Sequence, residues 1–405
     1  MADTTAAARV ESIGADFFDD PHAHYRRWRA AGPVHRVRFP DDVVRWVVVG
    51  YAEARVALAD PRLRKDMATA AAILDGKRTA PTDPNALALL THMLSTDPPG
   101  HTRLRKLVNK AFTTRQVAAL RPRIEQITAE LLDAMAGADE VDLMEAFANP
   151  LPVTVICELL GVPFDDRDDF QAWTRALVGV VGEEEHRPAA AAAMAKYLSE
   201  LVRAKQTRPA DDLLSELVLA DDDGDRLTDP ELVAMAFLLL VAGHETTVNL
   251  IGNGVNALLR HPDQWQALCA DPTGIPAAIE EFLRFDGPVD MATVRYTDEP
   301  VTLGGTEIPA GELVYVALAA ANRDPARFTD PDALTTDGHP TGHLAFGHGI
   351  HFCVGAPLAR LEAEIAFTAL LRRFPGLRLA ESAATVRWQT STLIRGLLEL
   401  PVRVR

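Results

Sequence analysis

The run Phe346-Gly347-His348-Gly349-Ile350-His351-Phe352-Cys353-Val354-Gly355 sets one cysteine between glycine-rich turns. An amphipathic helix is expected to follow, from about Ala356 into Phe374. A cysteine there is placed to be a thiolate, because the positive end of a helix dipole and nearby backbone N–H groups both stabilise anionic sulfur. Gly347, Gly349 and Gly355 let the backbone turn tightly and approach something large and flat. A thiolate presented this way suits a haem-iron ligand of the electron-pushing kind, which favours O–O cleavage. Two plainer readings compete. A lone intracellular cysteine is commonly a small buried hydrophobe. His348, His351 and Cys353 could also hold zinc, although no second Cys/His pair at matching spacing occurs in the chain.

A second candidate is Ala242-Gly243-His244-Glu245-Thr246-Thr247. His244-Glu245 opens like a zinc-protease motif, but Val248 stands where the second histidine is needed. In mid-helix, Thr246 can turn its hydroxyl to the carbonyl of Ala242 and loosen the ladder. Gly243 is expected to leave that face open to a ligand. A groove with a hydroxyl and a carboxylate beside it suits dioxygen, which needs protons before its bond splits; the plainer reading is a satisfied polar kink. Glu281 and Arg284 stand at helical ion-pair spacing, where pairs are usually exposed and weak. From Pro98 through Ile124 there is no acidic residue, yet Arg103, Arg105, Lys106, Lys110, Arg115, Arg121 and Arg123 all fall there. That island reads either as a solvated helix face or as a docking surface for an acidic redox partner.

The ten-residue cysteine run resembles the signature of the cytochrome P450 family, the haem-thiolate monooxygenases, at all six specified positions. The resemblance implies a mainly α fold with a smaller β-rich region, a triangular prism with a long central helix across the haem, as one domain over residues 1–405. It implies haem b with Cys353 as the metal ligand. His101, Arg105, Arg295 and His351 would take the haem propionates. Phe346 would shield the sulfur, and Gly355 and Ala242 would lie against the cofactor. The run at Ala242 is similar to the family's oxygen-activation motif, so Thr246 would hold dioxygen and its waters and Glu245 would relay protons. Glu281 and Arg284 match the family's Glu-x-x-Arg, with Arg323 of Asn322-Arg323-Asp324-Pro325 completing a buried network of structural purpose. By family position, Met67, Leu238, Ala242, Val289, Met291, Leu393 and Ile394 form an apolar substrate cage.

The activity so implied inserts one oxygen atom from O2 into a C–H or C=C bond of a bulky, mostly apolar molecule of macrolide or polyketide, peptide, steroid or secosteroid class. Electrons would come from a separate ferredoxin and ferredoxin reductase, or a flavodoxin, since no flavin or iron–sulfur motif is visible. Two alternatives stand beside it: a haem-thiolate peroxygenase or isomerase, and a non-enzymatic recruitment protein of the same fold.

Composition agrees with this reading. The 405 residues are 48% hydrophobic, enough for a sizeable core, and carry a net charge of −16. Such acidity argues against nucleic acid or an anionic membrane as partner. Cys157, Cys269 and Cys353 are sparse and odd in number, the pattern of a reducing compartment. The first residues show no secretion signal, and Leu232–Gly243 is too short an apolar run to span a bilayer. A cytoplasmic protein is expected.

Several elements must position these residues. Thr228-Asp229-Pro230-Glu231 is a capping box opening a helix to about Arg260. Helices are also expected from Asp97-Pro98 onward, over Arg121–Ala136, Leu143–Leu160, Phe170–Val181, from near Ala189, and over Ala277–Arg284. Pro33 to Gly50 reads as a hairpin followed by a short helix over Tyr51–Ala59, and Val301 to Val316 as β-rich. Ala70 to Thr91 reads as a loop or loose helix roofing the site, Asp221–Asp225 as a solvated acidic turn, and Leu398–Arg405 as an edge strand.

Overall fold

The computed structural model describes residues 10–78, 81–163, 167–177, 185–338 and 341–405. The first residues, the end of the Phe170–Val181 helix and Glu183-Glu184 lie outside them.

The central helix runs Asp229–Leu259 and is 31 residues long. At 1.5 Å per residue it spans ~46 Å. Thr228 and Glu231 close the expected capping box: the Thr228 N–H donates to Glu231 Oε2 at 2.8 Å. The helix is apolar on nearly all sides because protein surrounds it. It is long and apolar enough to cross a membrane, yet 72% of its most apolar window is buried. Helices Pro150–Leu160, Arg187–Thr207, Ile275–Asp286 and Ala356–Arg373 pack against it. One core lies between the central helix, Ile275–Asp286 and the cysteine helix Ala356–Arg373; a second lies under Arg187–Thr207.

The strands in chain order are β1 (Val10–Ser12), β2 (Val34–Arg38), β3 (Val44–Val48), β4 (Leu63–Arg64), β5 (Glu140–Asp142), β6 (Arg295–Thr297), β7 (Val301–Leu303), β8 (Thr306–Ile308), β9 (Leu313–Val316), β10 (Arg378–Leu379) and β11 (Pro401–Arg403). The largest sheet has the order β1-β2-β3-β9-β6-β4. The hairpin at Pro33–Gly50 is present as β2 and β3, with Arg36 opposite Trp46, and the helix after it is Tyr51–Ala59.

The structure departs from expectation in three places. Residues 143–160 are not one helix: Pro150 and Pro152 interrupt the donor ladder, and Met144–Ala148 forms a wide π turn ahead of Pro150–Leu160. The roof segment is better ordered than its composition suggests. Asp66 and Asp83 cap short helices Met67–Asp75 and Pro84–Leu89, and Asp75 accepts the Thr82 N–H at 3.0 Å. The C-terminal strand is not an edge. β11 lies between β10 and β5, because its chain bonds on both sides and buries Val402 and Val404.

Candidate functional site

The cysteine loop is held by its own backbone. Gly347 and Gly349 have φ of 74° and 77°, the left-handed region that only glycine adopts freely. A Cβ on Gly349 would also sit 3.1 Å from the Leu58 carbonyl oxygen. Gly355 differs: with φ −79° it is an ordinary cap residue at the start of the cysteine helix, and a Cβ there would lie 3.7 Å from Cys353 Sγ, a normal contact. The Cys353 N–H donates to the Phe346 carbonyl at 3.0 Å, closing the loop on itself. Phe346 stacks under Arg360, whose guanidinium carbon is 4.6 Å from the ring centre.

Cys353 is solvent-accessible, yet the surrounding protein desolvates its sulfur and pushes the thiol up. The Gly355 and Ala356 amides and the Arg105 and Arg360 charges pull it down, without overcoming that rise. The backbone amides and neighbouring charges therefore supply only part of what a thiolate needs; a bound metal would supply the rest, since a coordinated thiol is deprotonated outright.

The four expected propionate-binding side chains converge. His101 and Arg105 sit on helix Gly100–Ala111, Arg295 on β6 and His351 on the cysteine loop. The rings of His101 and His351 are 4.3 Å apart. His101 Nε2 is buried with no hydrogen-bond partner. Burial and the charges of Lys65, Arg295, His101 and Arg105 push His351 down to about 2, and burial pushes Arg295 down to about 10. Buried cations without counter-charges are costly. This group fits a haem, whose two propionates would supply the missing anions beside a sulfur ligand.

On the central helix, the Thr246 hydroxyl donates to the Ala242 carbonyl at 2.7 Å, as the sequence predicts. Ala242 is exposed in the middle of a largely buried helix, with Val241, Gly243, Glu245 and Thr246 half-buried around it, a bare patch that suits a flat group lying against it. Glu245 turns along the helix and sideways. It accepts from Asn249 Nδ2 at 3.3 Å and Gln389 Nε2 at 3.4 Å, with His244 Nε2 3.7 Å from its other oxygen. Gly243 does not open a ligand face. A Cβ there would meet Ile156 Cδ1 at 2.8 Å, so its smallness lets helix Pro150–Leu160 pack close.

Glu281 and Arg284 form a buried bidentate pair at 2.7 Å on both arms. The third arginine is elsewhere: Arg323 stacks 3.9 Å over Phe285, donates to the Phe285 carbonyl and pairs with Asp332. Carbonyls of Asn322, Pro331 and Ala333 complete Arg284 instead. Spacing alone does not reveal that backbone oxygens can take the third member's place.

The expected substrate cage is only partly together. Met67, Val289 and Leu393 are half-buried, and Val289 bridges to Ile394. Leu238 and Ile394 are buried in the core, Leu238 in the cluster that Val241 and Val354 flank. Met291 is a correction: its bridge to Ala317 turns it into the core of Phe17, Tyr25 and Trp28, where no ligand reaches it. A cavity of about 570 Å³ opens beside the cysteine loop, lined by Tyr51, Arg55, Glu280, Arg327, Phe346 and Arg360. It is charged and contains none of the cage residues.

Sequence reasoning missed a buried polar cluster behind the 289–294 stretch. Tyr25 donates to Asp290 at 2.8 Å, and Arg395 and His22 approach Asp286 at 3.4 and 3.3 Å. Although burial opposes it, Arg395 and His22 hold the Asp286 carboxyl well below its usual range, while burial pushes Asp290 up to about 7. Only the long-range pairing of helix Pro21–Ala31 with residues 286–290 creates this cluster, and no local pattern announces it. A carboxyl raised from 3.8 to about 7 binds its proton more tightly when folded. Its contribution to stability is complete at low pH and lost as pH rises through about 7, on the order of 1 kcal/mol per unit. Asp290→Asn should therefore flatten the fall in unfolding free energy across that window; curves parallel to wild type would mean Asp290 is ionised in the fold.

The basic island is largely neutralised from within. Arg103 pairs with Asp225 and Glu231, Lys106 and Lys110 with Asp222, Arg121 with Glu364, and Arg123 with Glu158. The acidic turn Asp221–Asp225 is thus its counter-charge as well as a surface loop.

Comparison with known proteins agrees with the geometry. A family model described as Cytochrome P450 matches residues 189–271 and 275–381. Cytochrome P450 107B1 of Saccharopolyspora erythraea is 54% identical, over 96% of both chains. Vitamin D(3) 25-hydroxylase of Pseudonocardia autotrophica is 48% identical over 98% of this chain and 97% of its own. The tirandamycin C-bound P450 monooxygenase TamI superposes with a TM-score of 0.91 at 50% identity, covering 98% of this chain and all of that one. With identity of this order running from end to end around a cysteine loop and its cations, the chain belongs to the cytochrome P450 family of haem-thiolate monooxygenases.

Proposed function

We propose that the chain works as one domain in which Cys353 binds the iron of haem b from the N-terminal end of helix Ala356–Arg373. His101, Arg105, Arg295 and His351 would hold the propionates. The observation that carries this reading is the convergence of two arginines and two histidines, with Asp97 the one carboxylate acting on them and His101 Nε2 buried without a partner, at a solvent-accessible cysteine. When bound, haem supplies the activation of dioxygen and the insertion of one oxygen atom into the substrate.

The protein's own part is to bind, orient and move protons. The Thr246 hydroxyl donates its proton to the Ala242 carbonyl, which leaves its oxygen to accept a hydrogen bond from a water and so place that water for proton delivery. The amides of Asn249 and Gln389 hold the Glu245 carboxylate, which would take protons from water and hand them along. Half-buried Met67, Val289 and Leu393, with few polar groups among them, favour a bulky, mostly apolar substrate. The relatives named for vitamin D(3) and bound to tirandamycin C support a polyketide-like or secosteroid-like class.

Family members of this type use redox partners. We assign the electrons here to a ferredoxin or flavodoxin system. Free cysteines and a buried central helix support a cytoplasmic setting.

The direct test is a reduced carbon monoxide difference spectrum, then a substrate-library titration read at the Soret band. Protein carrying full haem without the thiolate-type peak would overturn the assignment. Thr246→Ala should cut product per electron by about tenfold. That is less than the ~10²–10⁴ of a fully positioned acid, because water can enter where the hydroxyl stood. It is read as NAD(P)H consumed against product formed; unchanged coupling would remove Thr246 from the relay.

A further inference from the structure

β4 and β6 run antiparallel with Arg64 opposite Tyr296, so the next residue along, Lys65, comes level with Arg295. Lys65 is only 2% exposed. Its ammonium bonds one side chain among the described residues, donating to the Thr293 hydroxyl. The nearby carboxylate, Asp97, is already engaged: it accepts the Lys65 and Asp66 N–H groups at 3.0 Å and lies 3.4 Å from Arg64.

Lys65 therefore sits in the same buried space as the expected haem-binding cations. It lies close enough to His92, His101 and His351 to act on each electrostatically. Lys65, Arg105 and Arg295 set three cations against Asp97, which Arg64 also shares. A buried ammonium satisfied by one neutral hydroxyl is short of both charge and acceptors, since it has three protons to donate.

We propose that Lys65 is a positioning residue for the cofactor, binding a haem propionate as a fifth side chain beside His101, Arg105, Arg295 and His351. The proposal rests on the haem-thiolate reading above. It extends the cradle from helix Gly100–Ala111, β6 and the cysteine loop to the end of β4. The lysine joins the cofactor's edge to the segment that opens helix Met67–Asp75, so haem binding and order of the roof are coupled through one residue.

The test uses the holoenzyme and a haem-scavenging apoglobin, with transfer followed by absorbance. Wild type and Lys65→Met are each loaded with haem or with haem dimethyl ester, whose carboxylates are masked. With haem, Lys65→Met should speed release by roughly tenfold to a hundredfold, the scale of a lost hydrogen bond to a charged group. With the ester, wild type should already be fast and Lys65→Met should add little, because both changes remove one interaction. Lys65→Gln, a donor without charge, should fall between wild type and Lys65→Met. Release from Lys65→Met at the wild-type rate overturns the proposal. So does an equal acceleration on haem and ester, which would make Lys65 a structural residue. Loss of the thiolate-type spectrum in wild type would overturn the parent reading instead.

Discussion

Cys353→Ser should abolish oxygenation and remove the thiolate-type peak from the reduced carbon monoxide spectrum, while leaving the chain folded. The side chain makes no structural contact that serine cannot replace. Its backbone N–H bond to Phe346 does not depend on sulfur, and the turns around it are set by Gly347 and Gly349. What is lost is chemical: a serine hydroxyl is a far poorer anion than a thiol and does not push electron density onto iron. Far-UV circular dichroism should match wild type and product should fall to the level of haem alone. A variant that kept the thiolate-type peak would place the iron ligand elsewhere.

The largest loss of stability should come from Arg284→Met. Glu281 and Arg284 are 2% and 4% exposed and meet on both arms. Removing the guanidinium leaves a buried carboxylate without its counter-charge and strips donors from the carbonyls of Asn322, Pro331 and Ala333. Breaking a buried pair from one side costs ~3–5 kcal/mol, and those carbonyls hold the chain that leads into the cysteine loop. Urea unfolding should show the drop, and haem retention should fall with it. Glu281→Met/Arg284→Met should cost less than the two single changes added together. Additive losses would mean that the two side chains do not act as a pair.

How much of this was legible in the sequence depended on range. The cysteine loop, the Thr246 back-bond and the capping box at Thr228 are local, written in residues within ten of one another, and the structure places the hydroxyl and caps as spacing predicts. The bidentate Glu281–Arg284 pair was legible for the same reason, but its burial came from the family resemblance and not from spacing, because burial belongs to the surrounding helices. Arg323, Met291 and Lys65 show the other side. Each has a neighbour far along the chain, respectively Phe285, Ala317 and Arg295, that only strand pairing or helix packing provides. Gly243 was read for the right property, its missing side chain, but the space it leaves goes to Ile156 and not to a ligand. The C-terminal alternation correctly suggested a strand, while its central place depends on β5, about 260 residues away.

The turn Asp221–Asp225 has a kinetic meaning as well as an electrostatic one. Because it is tethered, its carboxylates present themselves to Lys106 and Lys110 at an effective concentration on the order of millimolar, with no diffusional search. A visiting acidic protein reaches those lysines only by winning a competition against this resident, and it competes at its own dilute level. Helix Gly100–Ala111 is thus a masked surface, and raising salt would weaken mask and visitor alike, so ionic strength by itself would not unveil it.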